Sequence, residues 1–413
     1  MRGQGNRQTE TAPKYDLLLI IAVAALLIVG LMMVYSATAF WGVNYRPHNQ
    51  QPTYYFFHQL LWMGLGLMAM IVAARIRYHT WRKLSIPIMA GALILLGVVL
   101  FTGDEQFGSR RWAIGGGSVQ PSELVKLAVI IYIADWLSSK GERIHRVTYG
   151  LIPFSVLLGF VTGLILLQPD ISTAVLIAVT ALAMFFIAGG DLWQILVTGV
   201  LGSVPLALLI SRSDYAMQRI VSFAYPLQDP YGEGYQTIQS LIALASGGVT
   251  GMGLGASRQK FGYLPAAHTD HIFAVLGEEL GLIGCLVVIA LFAFLAYRGF
   301  RVAMNAPDLF GAVLAAGVTF NLIFQALINI AVVTATVPIT GIPLPFISYG
   351  GSSLVVSLAS IGLLLSVSRG ISPDEVVDRQ EEMGNREAHD LGRGDRRSRV
   401  SRPGRRRLAD NRY

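Results

Sequence analysis

Ten apolar stretches, most of them long enough to cross a lipid bilayer, constrain the fold of this chain more than any other feature. A membrane-spanning helix needs about 17–25 mainly apolar residues. The chain is 53% hydrophobic and only 14% charged, whereas a soluble domain carries about 25% charged residues. Backbone polar groups in lipid must be satisfied within their own segment, which predicts helices. The candidate spans cover approximately residues 17–36, 56–74, 84–101, 122–137, 150–167, 171–189, 192–210, 272–297, 310–334 and 348–368.

The predicted fold class is therefore an all-α polytopic membrane protein with ten transmembrane helices. An N-terminal tail (1–16) precedes a membrane domain (17–370), and a polar tail (371–413) follows it. The first apolar run is too long for the core of a signal peptide, so we expect it to be retained. The second tail is rich in arginine and has no periodicity, which predicts disorder. The sequence contains a single cysteine, which excludes a disulfide framework and a cysteine-based metal site.

The distribution of basic residues predicts the orientation of the spans. If the N-terminus is cytoplasmic, 24 of the 32 lysines and arginines fall on the cytoplasmic side and seven on the outer side. Basic residues are enriched in cytoplasmic loops, so this orientation is favoured and both termini are predicted to be cytoplasmic. The remaining basic residue, Lys126, is the only one inside a predicted span.

A long outer loop, residues 211–271, joins the seventh and eighth predicted spans. Loops of this length are uncommon and are often functional. Its stretch GYQTIQSLIALASGGVTGMG, residues 234–253, combines an amphipathic helical pattern with a glycine-rich run. We predict a helix lying on the outer membrane surface. The alternative is a re-entrant segment.

Lys126 lies in the sequence RRWAIGGGSVQPSELVKLA, residues 110–128. Pro121 suits the first turn of a helix, and Glu123 in that turn is favourable for the helix dipole. Lys126 follows three residues later on the same face. It is therefore expected about 7 Å below the outer end of its helix.

A second group of ionisable residues begins the eighth span, in PAAHTDHIFAVLGEELG, residues 265–281. Asp270 is expected at a depth similar to that of Lys126, and buried charges at that depth each need an opposite charge. We therefore predict that Asp270 and Lys126 meet, with His268 and Thr269 nearby. At least one of Glu278 and Glu279 should point into the same cavity, because a carboxylate facing lipid is costly.

A third helix start at the outer side is GIPLPFISYGGSSLV, residues 341–355. The backbone N–H groups at a helix start can bind anions. Small residues in a span more often form packing contacts between helices. Together the three helix starts predict a site for an anionic substrate with an apolar tail, and the alternative is a structural cluster of ion pairs without chemistry.

Several motifs in this order resemble the SEDS family of bacterial membrane proteins (shape, elongation, division and sporulation). The resemblance covers about residues 15–370 and rests on RRW, QPSELVKLA, LLQPDISTA, GYQTIQS, YLPAAHTDHIFAVLGEELGLIG and GIPLPFISYGGSS. The division branch of the family is favoured by the triplet Gly277-Glu278-Glu279, by YLPAAHTD and by Phe346. The elongation branch is the second choice.

The resemblance implies a peptidoglycan glycosyltransferase that polymerises lipid II outside the bacterial cytoplasmic membrane, at the division septum. The substrates would be lipid II and glycan linked to undecaprenyl pyrophosphate. The implied partners are a class B penicillin-binding protein, an FtsI-like transpeptidase, and other division proteins, with no nucleic acid. It also implies a divalent cation, Mg²⁺ or Mn²⁺, for which the sequence shows no ligand set.

The matching motifs carry the essential aspartate of the family onto Asp270, which we predict to be a general base. Lys126, with Arg110 and Arg111, would stabilise the departing pyrophosphate, and Trp112 would stack on a sugar or lie in the aromatic belt of the membrane interface. The further supporting or substrate-binding residues are predicted to be Glu123, Gln120, Ser122, His268, Thr269, Glu278, Glu279, Ser348, Gly350, Ser352 and Ser353.

The chain departs from the family pattern at Ala266, at His271 and at Ser172-Thr173, which puts fine substrate contacts in question. Two other functional classes stay open. A lipid flippase or secondary transporter should have a charged path to the inner side and an internal repeat, and neither is evident in the sequence. The other class is a non-catalytic scaffold that recruits the transpeptidase.

Overall fold

The protein is an α-helical bundle with one short β-hairpin in the part of the chain that the structure describes. The computed structural model describes residues 15–44, 53–102, 104–106, 109–112, 120–232 and 234–370, so the predictions for residues 371–413 and for most of 1–16 lie outside it. The helices are α1 (Leu17–Asn44), α2 (Tyr54–Arg75), α3 (Tyr78–Lys83), α4 (Ser85–Thr102), α5 (Pro121–Lys140), α6 (Leu151–Leu166), α7 (Ile171–Ile187), α8 (Leu192–Arg212), α9 (Asp214–Ala224), α10 (Tyr235–Gly247), α11 (Ile272–Met304), α12 (Leu309–Val333) and α13 (Gly351–Arg369), and the hairpin pairs β1 (Asp104–Gln106) with β2 (Ser109–Trp112).

Each of the ten predicted spans coincides with one of these helices. By length and apolar composition, six helices can cross a membrane: α1, α2, α8, α11, α12 and α13. Three of the other four, α4, α6 and α7, are apolar but shorter. The tenth, α5, contains Glu123, Lys126 and Asp135 and is largely buried. Its neighbours in the bundle therefore shield Glu123 and Lys126 from lipid, while Asp135 near the end of the helix is partly exposed.

Helix α12 lies at the centre of the bundle, where it contacts α5, α7, α11 and α13. Glycines allow close packing elsewhere, and α2 approaches α13 through Gly66 and Gly362. Helix α8 is at the periphery, and most of its apolar side chains are exposed. Exposed apolar side chains on such a helix are the surface that lipid covers.

Ion pairs join helix ends that the basic-residue pattern assigns to one side of the membrane. Arg298 at the end of α11 pairs with Asp16 before α1. Arg82 in α3 pairs with Asp135 near the end of α5, at 3.0 Å. These contacts agree with the prediction that successive spans cross the membrane in alternating directions. That this side is cytoplasmic stays a prediction from the basic residues.

Helix α11 is interrupted at Gly281, where φ is +67°. Backbone groups of the glycine-rich run fill this break, since Met252 N donates to Glu278 O at 3.0 Å and Leu282 N donates to Gly248 O at 2.9 Å. The break lies about 9–14 Å along α11 from its start. Irregular backbone at membrane depth occurs where protein buries it. These contacts favour the re-entrant alternative over a helix lying on the membrane surface.

Replacing Gly281 with alanine is expected to destabilise the protein by about 1–3 kcal/mol, the cost of a strained backbone conformation. A Cβ atom there would lie 2.3 Å from Gly251 N in addition to requiring a positive φ. The matched control is Gly91→Ala in α4, where nothing lies within 4 Å of the added atom. Thermal unfolding in detergent should show a lower midpoint for Gly281→Ala only. Equal midpoints for the two variants would contradict the role of the break.

Candidate active site

Asp270 lies on a tight turn immediately before α11. Thr269 N and His271 N both donate to Ala266 O, and Ala266 takes a left-handed φ of +52°. Asn329 of α12 donates to Asp270 O at 2.7 Å. A Cβ atom built on Gly341 would lie 3.4 Å from Asp270 Oδ2. The aspartate is therefore held between α12 and the loop that precedes α13.

Lys126 is buried inside the bundle with its side chain 3% exposed. Its ammonium donates to Glu123 Oε1 at 2.8 Å and to Gln325 Oε1 at 3.0 Å. The predicted position of Glu123 and Lys126 on one face of α5 is confirmed by this contact. Within the described residues, Lys126 forms its ion pair with Glu123 and none with Asp270, so the predicted direct pair is wrong. Glu123 is closer because it lies one helical turn away on the same helix.

A small polar cavity lies between α5, α7 and the loop before α13. It has a free volume of about 20 Å³, which is room for one water molecule. Its walls are Gln120, Glu123, Lys126, Asp170, Ser172, Thr173, Leu176, Thr340, Gly341, Ile342 and Pro343. Asp270 is not a wall residue, but it lies beside the wall residue Gly341, since a Cβ atom added there would come within 3.4 Å of Asp270 Oδ2. In this conformation the cavity admits nothing larger than one water molecule.

Asp170 is a wall residue that sequence reasoning did not select. It is 2% exposed and caps α7, because Oδ1 accepts from Thr173 N and Oδ2 accepts from the Thr173 hydroxyl. Gln120 contacts it at 3.5 Å. The signal was present in the motif LLQPDISTA, where an aspartate precedes a helix with threonine three residues later.

Around the cavity, several buried polar atoms have no hydrogen-bond partner among the described residues. They are Ser122 Oγ, Asn329 Oδ1 and Thr340 Oγ1. Buried polar groups are nearly always satisfied in folded proteins. Thr340 lines the cavity, Asn329 donates to Asp270 O, and Ser122 precedes Glu123 in α5.

The loop and helix start over residues 341–353 serve mainly to hold the site together. Ser348 Oγ donates to Thr269 O at 2.6 Å, and Tyr349 N donates to His268 O at 2.9 Å. Ser352 Oγ accepts from Gln120 N at 3.2 Å. These contacts favour the packing interpretation of this segment over anion binding at the helix start. Ser353 is buried and Gly350 begins the turn into α13.

Glu278 and Glu279 do not reach the cavity, contrary to prediction. Glu278 accepts from the Ser257 hydroxyl and from Arg258 N. Glu279 pairs with Lys260 Nζ at 2.9 Å and accepts from Ser36 Oγ. The prediction failed because the long loop folds inward and supplies its own partners for these carboxylates, which no sequence periodicity indicates.

His268 and His271 flank Asp270, and burial lowers the pKa of each to about 4. Both imidazoles are therefore neutral near pH 7 and add no positive charge to the site. The side chains of Arg110, Arg111 and Trp112 lie outside the described residues, which include only the backbone of β2 there. Their predicted roles stay predictions.

The described residues offer no metal site built from three or more ligand side chains. Among them, no three His, Cys, Asp or Glu side chains are grouped so that they could hold a metal ion. Glu123, the cavity carboxylate nearest Lys126, is already neutralised by that lysine. The divalent cation that the resemblance implies therefore has no set of ligands in this part of the chain.

This fold and site define a multi-pass α-helical membrane protein with a buried polar site. Residues 16–372 match the FTSW_RODA_SPOVE family model, described as cell cycle protein. The chain therefore belongs to the FtsW/RodA/SpoVE family, which is the SEDS family of the sequence resemblance.

The similar proteins of known sequence align along most of their length. Stage V sporulation protein E of Bacillus subtilis is 43% identical over 365 residues, which are 87% of this chain and 98% of that protein. The probable peptidoglycan glycosyltransferase FtsW of Trichlorobacter lovleyi is 41% identical over 361 residues, which are 87% of this chain and 94% of that protein.

Two solved structures share the fold. A chain from a study of structural coordination of polymerization and crosslinking by a peptidoglycan synthase complex has a TM-score of 0.71 and 30% identity, covering 87% of this chain and 99% of that one. The rod shape determining protein RodA of Thermus thermophilus has a TM-score of 0.63 and 28% identity, covering 86% and 97%.

Proposed function

We propose that this protein is a peptidoglycan glycosyltransferase that polymerises lipid II at the outer face of the bacterial cytoplasmic membrane. In this proposal the ten helices that match the predicted spans all cross the membrane, with both termini cytoplasmic. Relatives 41% identical over 86–87% of the chain are named probable peptidoglycan glycosyltransferases. Their names and the shared fold support the reaction class.

The observation that carries the proposal is Asp270 beside Gly341, a wall residue of a buried polar cavity that Lys126 also lines. Ionisable residues within a bundle of membrane helices are costly and usually functional. In this chain Asp270 lies just before α11 and Lys126 lies in the second turn of α5, and both are beside the loop that precedes α13. This end of the bundle is the one predicted to face outward, where a lipid-linked sugar would be found.

The proposed reaction forms one glycosidic bond and breaks one bond to phosphate. The 4-hydroxyl of the acceptor sugar attacks C1 of the donor, and undecaprenyl pyrophosphate leaves with the bonding electron pair. Asp270 accepts the proton of the hydroxyl as general base, a role that contributes about 10²–10⁴-fold. Lys126 contributes positive potential beside the developing negative charge of the pyrophosphate. In the absence of substrate, the ion pair with Glu123 balances the positive charge of the buried Lys126.

We further propose a role in cell division with a class B penicillin-binding protein as partner. The relatives named FtsW support division, although Stage V sporulation protein E is equally similar. The synthase complex that joins polymerization to crosslinking supports a transpeptidase partner. A fluorescently tagged copy should concentrate at the septum, and lateral localisation would instead support the elongation branch.

The test of the activity uses the full chain purified with its transpeptidase partner and supplied with lipid II in detergent and in vesicles. We expect glycan strands without net movement of lipid II across the vesicle membrane. Translocation without polymer would overturn the proposal in favour of a flippase. Neither polymer nor translocation, from a complex that remains assembled, would favour a scaffold.

A further inference from the structure

Two buried amide side chains of α12, Gln325 and Asn329, lie four residues apart on the face that borders the site. Residues at this spacing are neighbours on one helix face. Each is about 1% exposed. Neither was selected by sequence reasoning, because amides within an apolar span read as ordinary packing residues.

Asn329 connects the turn that contains Asp270 to the loop that precedes α13. Its Nδ2 donates to Asp270 O at 2.7 Å and to Ile342 O at 2.8 Å. This pattern fixes the orientation of the Asn329 amide. If the amide were flipped, its oxygen would face two carbonyl oxygens, and no hydrogen bond could form. Asn329 therefore joins the Asp270 backbone to this loop directly, beside the bonds that Ser348 and Tyr349 make to the two preceding residues.

Gln325 connects the same loop to the buried ammonium group of Lys126. Its Oε1 accepts from Lys126 Nζ at 3.0 Å, and its Nε2 donates to Pro343 O at 3.0 Å. The amide orientation again follows, because an ammonium can only donate. Asp270 and Lys126, which do not pair directly, are therefore linked through two amides and the consecutive carbonyls of Ile342 and Pro343.

We propose that Gln325 and Asn329 are positioning residues that fix the distance and orientation of Asp270 relative to Lys126. The inference rests on the proposed glycosyltransferase function. The amides contact the segments that carry the two ionisable groups and the loop between them. A displacement of about 1 Å in such a site can lower turnover about 10²-fold.

The experiment measures initial rates of polymerisation against lipid II concentration for the complex with its partner. We expect Asn329→Ala and Gln325→Ala each to lower kcat by about 10²-fold with KM changed by less than about threefold. The matched control is Gln194→Ala in α8. Gln194 is equally buried and donates to His145 O at 2.8 Å, remote from the site. Its turnover should stay within about threefold of the unmodified complex, and the melting temperatures of all three variants are recorded to separate lost turnover from lost stability.

A kcat loss no larger than that of the control would overturn the inference, as would a loss confined to KM. If the alanine variants unfold, the near-isosteric Asn329→Leu and Gln325→Met replace them, since they keep side-chain volume and remove the N–H donors without adding a buried charge. Unfolding of these variants too would assign the amides a structural role only and overturn the inference. If the unmodified complex makes no polymer, the proposed function fails instead, so the two failures are distinguishable.

Discussion

Replacing Asp270 with asparagine is expected to lower polymerisation of lipid II by about 10²–10⁴-fold, the usual contribution of a general base. The carboxamide has nearly the same size but cannot accept the proton of the acceptor hydroxyl. The hydrogen bond from Asn329 reaches the backbone oxygen of residue 270 and does not depend on its side chain. The fold should therefore persist while turnover is lost.

The measurement is glycan strand formation by the purified complex, with the melting temperature and co-purification of the partner recorded for each variant. The matched control is Asp191→Asn, which removes a carboxylate paired with His145 at a distant, half-exposed position. This control should polymerise at close to the normal rate, because exposed ion pairs contribute little. Polymerisation by Asp270→Asn within about threefold of normal would remove the aspartate from the proposed mechanism.

The arrangement of the helices was largely predictable from the sequence. Apolar runs of membrane-spanning length must form helices, because lipid offers no partner for backbone groups. Even α5, the shortest predicted span, followed from the run after Pro121. The kink at Gly281 was less accessible, since glycine also occurs within straight helices. Its cause is a second segment, the glycine-rich run, whose folding inward depends on contacts between residues distant in sequence.

The site was predictable in its location but not in its pairing. Asp270 and Lys126 were expected near helix starts at one end of the bundle. Lys126 lines the polar cavity, and Asp270 lies beside its wall residue Gly341. The prediction paired the two charges because each needs a partner. It did not consider that Glu123, on the same helix as Lys126, could satisfy the lysine first. Gln325 and Asn329 were missed because they bind backbone carbonyl groups. These partners carry no charge that a sequence pattern could reveal, so the role of the amides becomes visible only in the structure.

Removing the charge of Lys126 is expected to destabilise the protein strongly. Lys126→Met leaves Glu123 as an unpaired carboxylate that is 5% exposed, and breaking a buried ion pair in this way costs about 3–5 kcal/mol. The double variant Lys126→Met with Glu123→Gln removes both charges. It should recover most of the lost stability, because replacing a buried pair by neutral groups of similar volume is often neutral. Thermal and denaturant unfolding of the purified protein report both values.

The double variant should recover stability without recovering activity. If Lys126 also supplies positive potential to the departing pyrophosphate, the double variant will be folded and still polymerise slowly. We expect a turnover loss of about 10²-fold, comparable to removing one electrostatic group from an active site. Lys83→Met, at an exposed position in α3, is the control and should change neither property. A folded double variant with normal turnover would restrict Lys126 to a structural role and leave the chemistry to Asp270 and the groups contributed by the outer loops.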